Sequence, residues 1–141
     1  MRRVLYDTNI LLDVILGREP HLGASAAALE HAAVGTVEGY VAGHAVTTIA
    51  YLVQRERGAA GARKTLAHLL SKLRVAPITD SSVRLALNMR LEDFEDAVCI
   101  ASAQEAGCDL IVTRNPQHFH NSQPPALLPE AFLSLPSEHQ A

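Results

Sequence analysis

The chain opens with the stretch Arg3-Val4-Leu5-Tyr6-Asp7-Thr8-Asn9, in which a short apolar run ends in an acid. The run Arg3–Asp7 is typical of a buried strand, and the polar residues after it are typical of a helix start. Thr8 or Asn9 is expected to cap a helix over Asn9–Leu16, which Gly17 ends. A strand that passes directly into a helix indicates an α/β fold.

Short apolar strands and longer helices continue to alternate along the chain. This alternation predicts a parallel sheet of four to five strands with helices on both faces, a three-layer α/β/α sandwich. Further strands are predicted at Gly39–Gly43, Leu73–Pro77, Asp109–Thr113 and Ala126–Leu128. Helices are predicted at Ser25–Val34, Ala45–Arg57 (ended by Gly58), Ala62–Lys72, Ser82–Arg90 (capped by Asp80 or Ser81), Phe94–Ala106 and Pro129–Leu135.

Composition indicates one globular domain of ordinary charge. The chain has 141 residues, of which 48% are hydrophobic and 19% charged, and its net charge is −3. We expect a single domain over residues 1–135 and a frayed tail over residues 136–141. Aromatic residues make up 4%, which argues against a surface that recognises nucleic acid mainly by base stacking. Two cysteines without metal-ligand spacing, and no apolar run long enough for a signal peptide or membrane span, predict a cytoplasmic protein.

Acidic and polar side chains follow the predicted strands where the crevice of a parallel sheet is expected. Asp7 follows the first strand, and Thr113-Arg114-Asn115 follows the fourth. Asp93 and Asp96 open the long late helix and share one helix face. Carboxylates that lie together need a positive charge between them. Oxygen ligands without cysteine or histidine favour Mg²⁺ or Mn²⁺, and such an ion assists phosphodiester hydrolysis.

Each of these residues also has a purely structural interpretation. Asp7 suits a turn or cap, and Asp93 suits the N-cap of its helix, with Asp96 near the positive helix end. Asn115 before Pro116 is typical of a turn. Their joint placement at strand ends and a helix start is more specific than any one of them. His44 is expected to cap or hydrogen-bond the helix that it begins.

The sequence resembles PIN domains in three segments that together span residues 3 to 133. These are Leu5-Tyr6-Asp7-Thr8-Asn9-Ile10-Leu11-Leu12-Asp13, the DFEDA motif Asp93-Phe94-Glu95-Asp96-Ala97, and the stretch Asp109–Pro116 with its TRN motif at Thr113-Arg114-Asn115. The second and third segments resemble one PIN subfamily. The resemblance implies an α/β/α sandwich and a ribonuclease that depends on Mg²⁺ or Mn²⁺, as in the toxins of the VapBC toxin–antitoxin class.

The resemblance also assigns roles to residues. Asp7 and Asp96 match metal-binding acids, Asn9 matches a polar residue that helps to hold the first acid, and Thr113 matches the hydroxyl before the last acidic position. Two positions depart from the family. Thr48 stands where the family usually has a glutamate, with Thr47 the next choice, and Asn115 stands for the last aspartate. Asp93 is a candidate third acid, and two lost carboxylates predict weaker metal binding and weaker activity.

Single-stranded RNA is the substrate that the resemblance implies, with Arg114 and Arg18 as candidate phosphate contacts. It further implies a homodimer and a cognate antitoxin, and no membrane partner. The alternative hypothesis is a catalytically degenerate PIN domain that binds RNA or protein. A dinucleotide-binding domain is set aside because no glycine-rich loop follows the first strand. A phospho-acceptor domain is set aside because no lysine follows Lys72.

Overall fold

In a computed structural model, which describes residues 1–136, a five-stranded parallel sheet forms the centre of the protein. The strand order is β3-β2-β1-β4-β5, with β1 in the middle. Val4, Leu5 and Tyr6 of β1 are fully buried, which explains why this strand reads as an uninterrupted apolar run. The strands are β1 (Arg3–Tyr6), β2 (Glu38–Ala42), β3 (Arg74–Ala76), β4 (Leu110–Val112) and β5 (Ala126–Leu127).

Helices cover both faces of the sheet, and the predicted three-layer α/β/α sandwich is confirmed. On one side α1 packs on α2 and α3, and α2 packs on α6, whereas α4 packs on α5. The helices are α1 (Thr8–Leu16), α2 (Leu22–Ala33), α3 (Gly43–Leu70), α4 (Asp80–Met89), α5 (Phe94–Glu105) and α6 (Pro129–Leu133), with a short 3-10 helix at Pro116–Phe119.

Two of the predicted helix caps are wrong by one or two residues. Asp7, not Thr8 or Asn9, is the N-cap of α1, and its carboxylate accepts from the Thr8 N–H. Thr79, not Asp80 or Ser81, caps α4 through a reciprocal pair of hydrogen bonds with Ser82. In both cases several residues able to cap stand side by side, so local propensity does not select among them.

The long helix α3 contains a break where the sequence predicts a helix end. Gly58 has a left-handed φ of 75° and an extended ψ of 173°, so two helical segments meet there. The predicted helices Ala45–Arg57 and Ala62–Lys72 correspond to these segments. Helix α2 begins at Leu22, three residues before the predicted start at Ser25.

Within residues 1–136, no helix is long and apolar enough to cross a membrane. Most of the predicted tail, residues 137–141, lies outside the described part of the chain.

Candidate active site

The sheet topology brings the ends of β1 and β4 together. These strands pair in parallel with Tyr6 opposite Val112, so the residues that follow each strand leave the same edge of the sheet. The Asp7 N–H donates to the Val112 carbonyl at 2.9 Å. The Thr113 hydroxyl then donates to Asp7 Oδ2 at 2.8 Å, although the two residues are 106 positions apart.

Helix α5 adds its first turn to this edge, and a cavity of about 280 Å³ lies between the segments. Asp96 points inward because it lies on the same helix face as Ile100 and Ala103, which are buried. Six residues predicted from the sequence line this acidic cavity, namely Asp7, Asn9, Arg18, Asp93, Asp96 and Asn115.

Asp7 is half-buried where it lines the acidic cavity, and burial raises the pKa of its carboxyl above the usual value. Hydrogen bonds from the Thr113 hydroxyl and the Thr8 N–H act in the opposite direction, as do the charges of His44 and Arg114. Hydrogen bonds therefore hold the Asp7 carboxylate in a fixed orientation, and nearby positive charge balances its negative charge only in part.

The negative charge of Asp96 is balanced by fewer neighbouring groups than that of Asp7. Burial, reinforced by the negative charges of Asp93 and Asp7, raises the pKa of its carboxyl to about 6. Its Oδ2 is buried and has no hydrogen-bond partner in residues 1–136. The His118 ring is close by, with its Nδ1 3.7 Å from that oxygen. A carboxylate oxygen without a partner inside a cavity is a position for a cation.

Asp93 and Asn9 line the acidic cavity while making structural contacts of their own. Asp93 is the N-cap of α5, and its Oδ1 accepts from the Glu95 N–H at 2.9 Å and the Asp96 N–H at 3.4 Å. The Asn9 amide oxygen lies 3.4 Å from the Arg114 N–H, so its observed contact is with the loop after β4. The sequence predicted a contact with the first acid instead.

Sequence reasoning missed a buried ion pair beside the cavity. Asp13 is fully buried in α1, and its Oδ2 accepts from the Arg114 Nε at 2.8 Å and from the Ser25 hydroxyl at 2.9 Å. Part of the Arg114 guanidinium is thus committed to this carboxylate, and the Arg114 side chain is 25% exposed. Of the two predicted phosphate contacts, Arg18 lines the acidic cavity and Arg114 does not. The available signal for Asp13 was a lone acid inside an apolar helical run.

Helix α3, which follows β2, places a different residue near the site from the Thr48 that the sequence predicted. Thr48 lies in α3 but is not among the residues that line the acidic cavity. His44, one turn earlier, is close enough for its charge to lower the pKa of Asp7. It does not cap α3 through its side chain, since its Nδ1 is buried without a hydrogen-bond partner in the described residues. This histidine is a second residue that the sequence interpretation undervalued.

The residues present suit one hydrated hard cation better than a closed metal site. In the described part of the chain, no group of three or more His, Cys, Asp or Glu side chains is arranged to hold a metal. Mg²⁺ keeps several waters and binds through one or two carboxylates, so Asp7 and Asp96 satisfy its minimum requirement. The partnerless oxygen of Asp96 is the observation in favour of such an ion.

Comparison with known protein families shows to which family this chain belongs. The family model described as PIN domain matches residues 3–117, which cover most of the chain and every residue that lines the acidic cavity except His118 and Phe119. The chain belongs to the PIN domain family. Among curated proteins, no sequence matches significantly. The finer assignment to a subfamily with DFEDA and TRN motifs stays a prediction.

Solved structures with the same fold include toxin–antitoxin proteins. A chain of VapBC2 from Rickettsia felis, bound to a DNA fragment from its promoter, aligns with this PIN domain with a TM-score of 0.70 and 16% identity, over 89% of this chain and 98% of that chain. A toxin–antitoxin complex from Klebsiella pneumoniae gives a TM-score of 0.69 and 22% identity, over 89% and 97%. VapC20 from Mycobacterium tuberculosis, a sarcin–ricin loop cleaving toxin, gives 0.60 and 17%, over 77% and 86%. At these identities the likeness concerns the fold.

Proposed function

We propose that this PIN domain is a ribonuclease that uses Mg²⁺ or Mn²⁺ to hydrolyse phosphodiester bonds of single-stranded RNA, as the toxin component of a toxin–antitoxin pair. The observation that carries the proposal is the meeting of Asp7 and Asp96 in one cavity, with a buried Asp96 oxygen that lacks a partner. Family membership and the toxin–antitoxin neighbours support it.

In this proposal Asp7 and Asp96 hold the cation. Both carboxyls have raised pKa values because burial disfavours their charge, so a cation between them would relieve an unfavourable arrangement. A divalent ion bound there would neutralise charge on the phosphodiester and lower the pKa of a water nucleophile. Asp93 adds negative charge to the cavity, and the Asn115 side chain adds a neutral amide where a fuller site has a carboxylate.

The remaining residues orient the acids and the substrate. The Thr113 hydroxyl donates to Asp7 and accepts from the Asn115 N–H at 3.1 Å, so one side chain sets the position of both. Arg18 lines the acidic cavity and is placed to contact a phosphate oxygen. Arg114 is proposed to contribute a fixed guanidinium beside the site, oriented by buried Asp13.

Metal titration and RNA cleavage test this proposal together. Calorimetry with Mn²⁺ should show binding to the wild type that Asp7→Asn and Asp96→Asn weaken strongly, and metal-dependent cleavage of unstructured RNA should fall in the same variants. Glu56→Gln removes an exposed acid of α3 and should leave both measurements unchanged. Equal Mn²⁺ binding by the wild type and both aspartate variants would rule out the site.

A homodimer and an antitoxin are the proposed partners. Helix α4 leaves Val83 and Leu87, one turn apart, exposed on the same face, which suits contact with another protein surface. Toxin–antitoxin complexes among the structural neighbours point to an antitoxin as one such partner. Cys99 and Cys108 are both unpaired and buried, which fits the proposed cytoplasmic location.

A second function is favoured by the reduced number of acids. With Thr48 and Asn115 at the positions where the family usually has carboxylates, and no group of three metal-binding side chains in the described residues, the domain suits a catalytically degenerate module that binds RNA or protein. Binding of unstructured RNA without cleavage, over a full range of Mg²⁺ and Mn²⁺ concentrations, would favour this alternative.

A further inference from the structure

A second cavity, of about 600 Å³, adjoins the acidic cavity. Asp93, Asp96 and His118 line both, so the two spaces are contiguous at the first turn of α5. The second cavity is lined by a third acid, Glu92, and it differs from the first because Leu91, Phe94, Gln117 and His120 also line it. We call it the aromatic cavity.

Phe94 is the distinctive residue of the aromatic cavity. It is 46% exposed and belongs to neither hydrophobic cluster formed by the described residues. Its position follows from the helix geometry, because Asp93 caps α5 while Ala97 and Ile100 supply the buried face. The ring therefore lies at the surface beside the acids without contributing to the core.

The other aromatic side chains have different surroundings. Phe119 and Phe132 are buried, and Tyr51, the second exposed ring, is contacted by the Arg55 guanidinium 5.9 Å from its centroid. Within residues 1–136, no aromatic or cationic group stacks on Phe94. A free aromatic face next to a phosphodiester-cleaving site matches the way single-stranded nucleic acid is held, with bases stacked on rings.

The polar residues of the aromatic cavity add hydrogen-bonding groups around the ring. Gln117 and His118 belong to the short 3-10 helix Pro116–Phe119, and both are exposed, as is His120; the acids Glu92 and Asp93 of the same cavity are exposed as well. An amide carries both donors and an acceptor, as required to pair with the edge of an unpaired base. The cavity thus combines a stacking surface with groups that can distinguish one base from another.

We propose that the aromatic cavity binds one nucleobase of single-stranded RNA, next to the cleaved phosphodiester, with the base stacked on Phe94 and its edge contacted by Gln117. The inference rests on the proposed function for its choice of ligand. It adds a specificity site that acts on the base, separate from the acids that act on the phosphate.

RNA binding without metal tests this inference independently of cleavage. Fluorescence anisotropy with a short, labelled, unstructured RNA in the presence of a chelator should show that Phe94→Leu weakens binding about 5- to 150-fold. Phe94→Tyr keeps an aromatic face and should bind within about twofold of the wild type. Tyr51→Leu removes the other exposed ring and should bind as the wild type does.

A series of RNAs with one abasic position each identifies the stacked base. At one position, loss of the base should weaken binding to the wild type but leave binding to Phe94→Leu unchanged, because the same contact is already absent. Gln117→Ala should change the preference among bases at that position.

Several results would overturn the inference. One is equal RNA affinity of Phe94→Leu and the wild type, and another is the absence of any abasic position whose effect depends on Phe94. A third is a lower native mass of Phe94→Leu than of the wild type, because it would assign the ring to an interface between copies of the chain. RNA binding that depends on Phe94 in a protein that never cleaves RNA would uphold the base site and refute the proposed nuclease. No RNA binding by the wild type, either with the chelator or with added Mg²⁺ or Mn²⁺, would refute both.

Discussion

Replacing Asp96 by asparagine is expected to stabilise the metal-free protein above neutral pH. The Asp96 carboxyl has its pKa raised from 3.8 to about 6, first by burial and then by the charges of Asp93 and Asp7. The folded state therefore holds this proton more tightly than the unfolded chain does. The contribution of Asp96 to the free energy of unfolding is fully present below about pH 4 and is lost as the pH rises through about 6.

The size of the effect follows from the shift in pKa. A rise from 3.8 to about 6 corresponds to about 3 kcal/mol at about 1.36 kcal/mol per pKa unit. The Asp96 side chain is 15% exposed, and water at the cavity mouth screens part of its charge. We therefore expect the free energy of unfolding of Asp96→Asn, relative to the wild type, to rise by about 1–2 kcal/mol between pH 4.5 and pH 8.

Urea unfolding at the two pH values, with a chelator present, measures this difference. Comparing the change with pH in the two proteins cancels any constant cost of the new amide. The corresponding change in melting temperature is about 3–8 °C. Added Mg²⁺ at pH 8 should stabilise the wild type and leave Asp96→Asn unaffected. Glu56→Gln, an exposed acid-to-amide change, should follow the wild type throughout. Parallel loss of stability in the wild type and Asp96→Asn would refute an uncompensated charge at this position.

Three further variants test other parts of the structure. Arg114→Met leaves the fully buried Asp13 without its cation and should lower the free energy of unfolding by about 3–5 kcal/mol. A loss under about 1 kcal/mol in urea unfolding would contradict the buried ion pair. Gly39→Ala places a Cβ 2.6 Å from the Ala32 Cβ and should cost about 1–3 kcal/mol in the same assay, so unchanged stability would contradict this close packing. Thr113→Val removes the hydroxyl that orients the first acid and should weaken Mn²⁺ binding about 10- to 100-fold by calorimetry, whereas Thr113→Ser should retain it.

The central strands β1, β2 and β4 were predictable from the sequence because they are almost entirely buried, whereas the edge strands β3 and β5 are more exposed. A short apolar run such as residues 4–6 indicates a buried strand when an acid and a helix follow directly, and the run Leu110–Val112 indicates one by its apolar residues alone, since Thr113 and not an acid follows it. Helix starts were less accessible. Thr79, Asp80 and Ser81 all have side chains able to cap, and only the packed structure places Thr79 outside the first turn.

The candidate site was predictable to the extent that it depends on strand ends. Asp7 and Asp96 were placed together by the rule that functional residues follow parallel strands, combined with the resemblance to PIN domains. The pairing of Asp13 with Arg114 joins residues 101 positions apart and leaves no local pattern in the sequence. The proximity of His44 to Asp7 was missed for the same reason, because a helix start alone does not say which strand end it faces.

Three acids close to this edge of the sheet differ in how far the protein compensates their charge. Asp13 has a guanidinium and a hydroxyl on Oδ2, although its buried Oδ1 has no hydrogen-bond partner in residues 1–136, and Asp7 has a hydroxyl and a backbone N–H. Asp96 lies in the first turn of α5, but its buried Oδ2 has no hydrogen-bond partner in residues 1–136. Since an internal partner stabilises a buried charge without any ligand, Asp13 is suited to hold the fold together. Asp96 has no guanidinium and no hydrogen bond on its buried oxygen in residues 1–136, only the His118 ring at 3.7 Å, so it is the acid whose charge a cation from solution would stabilise most.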